Sequence, residues 1–171
     1  PGVASACLEI AKDPNNAYLY TSKGNSLVIV SDGTAVLGLG DIGPAGALPV
    51  LEGKALLMKK FAGIDVFPLC LDTKDTQEII SICKAIATGF GGLFLEDISA
   101  PRCVEIERTL IDELDIPVFH DDQHGTSIVV LAAMINAAKL LKKDPSEIKI
   151  VMSGTGAAGS SVIRMLYHYG F

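Results

Sequence analysis

The sequence predicts an α/β fold: a mainly parallel sheet with flanking helices, followed by the start of a second α/β unit. Two observations carry this. Short apolar runs that read as buried strands alternate with longer segments of helical spacing over most of the 171 residues. A charged, proline-bearing stretch at 142–146 then separates this series from one further apolar run, a glycine-rich turn and a last helical segment.

Taken in order, residues 1–16 are turn-rich, with Pro14-Asn15-Asn16 as a breaker cluster. Residues 27–31 (Leu-Val-Ile-Val-Ser) predict a buried strand closed by the turn Asp32-Gly33-Thr34. Residues 36–43 are an apolar run interrupted by glycines, and 43–46 predict a loop. Helical spacing covers 53–61, where Ala55, Leu56 and Met58 alternate with Lys59 and Lys60. Strands are expected at 64–71, 92–95 and 116–119, and an amphipathic helix at 76–87. A helix at 101–113 begins with Pro101 near its first turn. The Ala-rich segment 126–141 is apolar throughout and predicts a buried helix. The boundary near 143 divides the chain into residues 1–143 and 144–171, the latter holding a strand at 148–152 and a helix at 157–169.

Composition narrows the function classes. With 49% hydrophobic residues, the chain can bury a core without disulfides. A formal net charge of -6 argues against a nucleic-acid footprint. Cys7, Cys70, Cys83 and Cys103 show no C-x-x-C spacing, so free thiols in a reducing, cytoplasmic setting are expected. No apolar run is read as a membrane span, and no secretory pattern opens the chain. The start at Pro1-Gly2 without Met leads us to expect a missing natural beginning.

Three features carry chemistry. Gly154-Thr155-Gly156-Ala157-Ala158-Gly159 is a G-x-G-x-x-G turn between a predicted strand and a predicted helix, the context of a Rossmann-type dinucleotide site. Gly154 permits the tight turn, Gly156 a close approach to a pyrophosphate, and Gly159 close packing of helix on strand. The helix N-terminus offers amide donors to phosphate. A glycine turn without a ligand is the plainer alternative. Second, Glu96-Asp97 and Asp121-Asp122 follow two strand ends, where parallel sheets line their ligand crevice. Carboxylates gathered there suit Mg²⁺ or Mn²⁺, and capping of helix N-termini explains them equally well. His120 and His124 suggest zinc, but Gly125 speaks against the helix that would pair them, and both read as supporting residues. Third, Lys54 follows Gly53 at a predicted helix start, where the dipole would lower its pKa. An ordinary surface lysine is the competing reading.

Three long stretches in fixed order resemble malic enzyme in its bacterial-type short form: 34–43 (TAVLGLGDIG), 60–67 (KFAGIDVF) and 119–126 (FHDDQHGT). The resemblance extends from Pro1-Gly2-Val3 to the glycine turn. It implies oxidative decarboxylation of L-malate to pyruvate and carbon dioxide, with NAD or NADP and Mg²⁺ or Mn²⁺. By motif, Lys54 matches the family's general base, Glu96, Asp97 and Asp122 match its metal ligands, and Gly154, Thr155, Gly156, Ala157, Ala158 and Gly159 match its cofactor loop. It also implies a homodimer or larger assembly. The family's catalytic tyrosine precedes the segment with which this chain starts, and the malate-binding arginine of animal-type enzymes is replaced near Ala35. Malolactic enzyme shares these motifs, and an inactive truncated module is the reading from another class. The chain is expected to be incomplete for activity.

Overall fold

The computed structural model describes residues 2–171. Two short helices open it, α1 (Val3–Lys12) and α2 (Ala17–Tyr20). Four strands then form one parallel sheet: β1 (Ser26–Ser31), β2 (Asp65–Cys70), β3 (Gly92–Leu95) and β4 (Val118–His120). Their order is β2-β1-β3-β4. Because β1 and β3 are interior, their residues are apolar on both faces, as the unbroken runs require. The register pairs Val30 with Leu95 and Leu95 with His120. Glu96 and Asp121, each one residue further on, therefore arrive side by side at neighbouring strand ends.

Helices cover both faces. α3 (Gly43–Ala62) links β1 to β2 and seals one side, where Ile29 and Phe94 join Ala47 and Leu51 in a core. α4 (Thr76–Ile86) and α5 (Arg102–Glu113) seal the other. There Val28, Val30, Leu93 and Leu95 meet Ile79, Cys83, Ile106 and Leu110. The strand alternation of two thus feeds two separate cores. Connections leave β1 towards β2 over one face and reach β3 over the other. The crevice between the ends of β1 and β3 is therefore the topological switch point of the sheet. α6 (Asp121–Leu141) follows β4 directly and packs on α7 (Ala157–Tyr169).

Several expectations change. The turn-rich opening is instead helix α1, whose Ala, Leu and Ile residues are good or fair helix formers and whose end falls just before Pro14. α3 begins at Gly43, not at 53, so residues 43–46 are helical. Pro44 fits the first turn, where no N–H is needed, and burial of Ala47 and Leu51 outweighs Gly46 and the interior Pro49. α6 begins at Asp121, five residues before the predicted start, and contains Gly125. Only Gln123, Ser127 and Ala138 are buried along it, so the expectation of a buried helix fails within the described residues. By length and composition alone α6 could cross a membrane, with a mean hydropathy of 1.4 over 18 residues, contrary to the sequence reading. Its first turn is nevertheless bonded into the sheet end, as described below. Residues 148–152 form no strand, because among the described residues no strand lies beside them to supply ladder partners.

Ile106 is fully buried, whereas Ile111, on the same helix, is half exposed. Ile106→Ala is expected to lower unfolding free energy by about 2–5 kcal/mol. Ile111→Ala should stay within about 0.5 kcal/mol. Urea unfolding of both variants measures the difference.

Candidate functional site

The site forms where β3 and β4 end. β3 runs straight into Glu96 and Asp97, which are 3% and 2% exposed. Asp97 holds φ +54°, a left-handed backbone that Asp tolerates better than most side chains. Its carbonyl accepts from the Ala35 N–H at 3.0 Å, and its own N–H donates to Asp122 Oδ2 at 3.0 Å. Asp122 reaches this point because α6 starts immediately after β4. One carboxylate oxygen each of Glu96, Asp97 and Asp122 then lies within 4.8 Å of the other two. Among the described residues this is the only group of three or more His, Cys, Asp or Glu side chains so arranged.

Burial and mutual repulsion act on these acids. Burial pushes the Glu96 carboxyl up to about 8, with the charges of Asp122 and Asp121 adding to it. Burial and Asp122 push Asp97 up to about 6, and burial also raises Asp122. Asp97 Oδ2 is buried without any hydrogen-bond partner. An orphaned carboxylate oxygen beside two further acids is what a hard divalent cation would satisfy. The histidines are placed differently. His120 is wholly buried, and burial lowers its pKa to about 4, so it is neutral. His124 Nε2 lies 2.7 Å from Glu107 Oε1.

Lys54 belongs to this site, but not by the expected route. It lies well inside α3 rather than at a helix start, so the dipole does not reach it. Its Nζ donates to Glu96 Oε2 at 2.5 Å and to Asp121 Oδ2, and it lies 5.7 Å from the centroid of the Phe94 ring. Burial works to lower its pKa, but the bonds to Asp121 and Glu96 outweigh it and leave the pKa above the ordinary lysine value. The predicted depression is therefore reversed. Lys59 pairs with exposed Asp65 at 2.6 Å, and Lys60 lies over Phe61. Neither reaches the acids.

Sequence reasoning missed the role of Asp121, the second partner of Lys54. It also missed Gly125, where a Cβ would stand 2.0 Å from Asp121 Oδ1. The missing side chain leaves room for the carboxylate that holds Lys54. Arg102 was missed as well. It bonds Asp32 at 2.8 Å, Thr34 at 2.9 Å and Ser99 at 3.1 Å, tying the end of β1 to the segment after β3. Its bonds to Asp32 and Thr34 span 70 and 68 residues of sequence, so no local pattern signals them.

The glycine turn faces the same crevice. Gly154 has φ +95°, and Gly156 is the N-cap of α7 with no side-chain cap. A Cβ at Gly159 would lie 2.3 Å from the Gly154 carbonyl, so only glycine lets α7 lie so close to the turn. Ser160 Oγ donates to the Thr155 carbonyl, while Ala157 and Ala158 form the first turn of the helix. A cleft of about 630 Å³ runs from Gly154, Gly156 and Ala157 to Ala35, Leu37 and Asp122. The turn and Asp122 of the acid cluster thus open onto one space.

Residues 1–80 match the family model described as malic enzyme, N-terminal domain. The NAD-dependent malic enzyme of Geobacillus stearothermophilus is 63% identical over 97% of this chain and 35% of its own length. A crystal structure of the NAD-dependent malic enzyme from Thermotoga maritima superposes with a TM-score of 0.97 at 54% identity, over 99% of this chain and 45% of that one. Over nearly its whole length the chain is similar to malic enzymes. The bifunctional malic/malolactic enzyme of Bacillus subtilis (strain 168) is also similar, 56% identical over 99% of this chain and 42% of that protein. The chain thus spans less than half the length of each of these malic enzymes. The acid cluster and the glycine turn lie beyond the 80 residues matched by the family model, and Lys54 lies within them.

The raised carboxyl pKa values predict a pH dependence of stability. A carboxyl that titrates higher in the folded state holds its proton while the unfolded chain releases it. For Glu96 the window runs from its ordinary 4.5 to about 8, and for Asp97 from 3.8 to about 6. Metal-free protein is therefore expected to lose stability as pH rises through these windows. Glu96→Gln should flatten the slope. Thermal unfolding in EDTA between pH 4.5 and 8 measures it, and a slope of opposite sign would refute the electrostatic account.

Proposed function

We propose that this chain is the substrate- and metal-binding part of an enzyme that oxidatively decarboxylates L-malate to pyruvate and carbon dioxide, reducing NAD or NADP. The observation that carries the reading is that Asp122 belongs both to the cleft lined by the glycine turn and to the acid cluster with Glu96 and Asp97, and that Glu96 in turn bonds Lys54. On this reading residues 1–143 form the malate and metal domain, and 144–171 begin the Rossmann-type cofactor domain. The match of residues 1–80 to the family model and the names of its relatives support it, as does the chemistry of the donor set.

Glu96, Asp97 and Asp122 would hold Mg²⁺ or Mn²⁺, consistent with an all-oxygen donor set and the orphaned Asp97 Oδ2. When bound, the ion supplies a Lewis acid for the C2 oxygen and for the negative charge that develops as carbon dioxide leaves. Gly154, Thr155, Gly156, Ala157, Ala158 and Gly159 would hold the pyrophosphate of NAD or NADP, whose nicotinamide would supply the hydride acceptor. Lys54 takes the C2 hydroxyl proton as general base. Hydrogen bonds to Asp121 and Glu96 pull its pKa upward against burial. Once the Glu96 charge is neutralised, one source of that upward pull is gone, and burial still acts to lower the pKa. Asp121 remains to orient the amine. A second reading, malolactic chemistry, is favoured by the likeness to the Bacillus subtilis enzyme named for both activities. It would release lactate instead of pyruvate. We further propose a homo-oligomer acting in the cytoplasm.

The complete enzyme should convert L-malate to pyruvate with stoichiometric nicotinamide reduction, and only with a divalent cation. Lactate without net reduction would select the second reading. Asp122→Asn should abolish metal-supported turnover while the circular dichroism spectrum is retained. Lys54→Ala should cut kcat by about 10²–10⁴-fold, with partial rescue by small amines. Lys59→Ala should change kcat little. Equal effects at Lys54 and Lys59 would remove the base from Lys54.

A further inference from the structure

Glu107 occupies a position where helical spacing calls for an apolar residue. Its companions on the buried stripe of α5 are Cys103, Ile106 and Leu110. A buried carboxylate is costly unless its oxygens are bonded. Glu107 is 3% exposed, and its partners are specific. Oε1 accepts from the backbone N–H of His120 at 2.9 Å, and Oε2 accepts from Gln123 Nε2 at 3.0 Å. His124 Nε2 lies 2.7 Å from Oε1. All these donors belong to residues 120–124, where β4 ends and α6 begins.

That junction has no cap of its own. His120 is the N-cap of α6, and its side chain caps nothing. The carboxylate from α5 binds the N-cap residue from outside and sets negative charge at the positive end of the α6 dipole. Between the clamped residues His120 and Gln123 stand Asp121 and Asp122. Asp121 binds Lys54, and Asp122 accepts from the Asp97 N–H. A rotation of this turn would disturb both at once. Packing alone does not call for the charge, since a buried ionic group replaced by an apolar one of similar size is often neutral or stabilising.

We propose that Glu107 is a positioning residue for the metal site: its carboxylate clamps the first turn of α6 and thereby aims Asp122 at the cation and Asp121 at Lys54. This rests on the reading of Glu96, Asp97 and Asp122 as metal ligands. Glu107 touches neither the cation nor the substrate and acts only through its hold on α6.

The test is Mn²⁺ binding to the full-length, metal-depleted protein, followed by the EPR signal of free Mn²⁺, with kcat and the KM for Mn²⁺ measured in parallel. Glu107→Leu should keep the circular dichroism spectrum and weaken Mn²⁺ binding by about 10–100-fold. Glu107→Gln keeps an acceptor for the His120 N–H but loses the charge, and should fall between the two. A folded Glu107→Leu protein that binds Mn²⁺ like the parent overturns the proposal. If Glu107→Leu does not fold, parent-like affinity in Glu107→Gln overturns it instead. Absence of Mn²⁺ binding by the parent, or parent-like binding by Asp122→Asn, would sink the metal reading itself and this proposal with it. Parent binding that is lost in Asp122→Asn but unchanged in the Glu107 variants sinks the positioning role alone.

Discussion

Four carboxylates crowd the ends of β3 and β4, and one ammonium stands among them. Glu96, Asp97, Asp121 and Asp122 are gathered at a sheet edge where burial disfavours charge, and Lys54 bonds only two of them. The upward shifts of Glu96, Asp97 and Asp122 are the electrostatic record of that imbalance. Much of the surrounding structure keeps the group together despite its repulsion. Arg102 ties the flanking segments through Asp32, Thr34 and Ser99. Glu107 holds the start of α6, and Gly125 leaves the space that Asp121 needs.

The sheet order explains why this edge was available. With β1 and β3 adjacent and their connections on opposite faces, the crevice at their C-terminal ends is not covered by a crossing helix. α3 brings Lys54 from one face, and α6 brings Asp121 and Asp122 from the end of β4. α6 also carries the site towards the glycine turn. It packs on α7, and Ser127 Oγ bonds Ser161 Oγ at 2.8 Å inside that contact. The acid cluster and the helix that starts at the turn are therefore joined through one pair of helices, and the cleft lies between them.

Much of this was legible in the sequence, and the reason differs from element to element. Interior strands announce themselves because both faces are buried, so residues 27–30 and 92–95 carry unbroken apolar runs. The helix at 157–169 was equally plain, bounded by the glycine turn before it and Gly170 after it. The early start of α3 was not legible, since Gly43, Pro44, Gly46 and Pro49 all weigh against a helix that burial against Ile29 and Phe94 nevertheless stabilises. Nor was the start of α6, where Gly125 read as a breaker and is instead a helical residue making room for a carboxylate.

By itself the sequence determined the α/β class, the residue types gathered at two strand ends, the glycine turn, and the motifs that resemble one family. These are local properties: periodicity, composition and the order of short segments along the chain. The tertiary structure alone decided which charges meet. Lys54 is separated from Asp121 by 67 residues, and Glu107 from His120 by 13, so neither pairing leaves a periodic trace. It also decided the sign of the Lys54 shift, which follows from two carboxylates at contact distance rather than from a helix end. Electrostatic interaction depends on separation in space and on burial, and both are set only when the chain has folded.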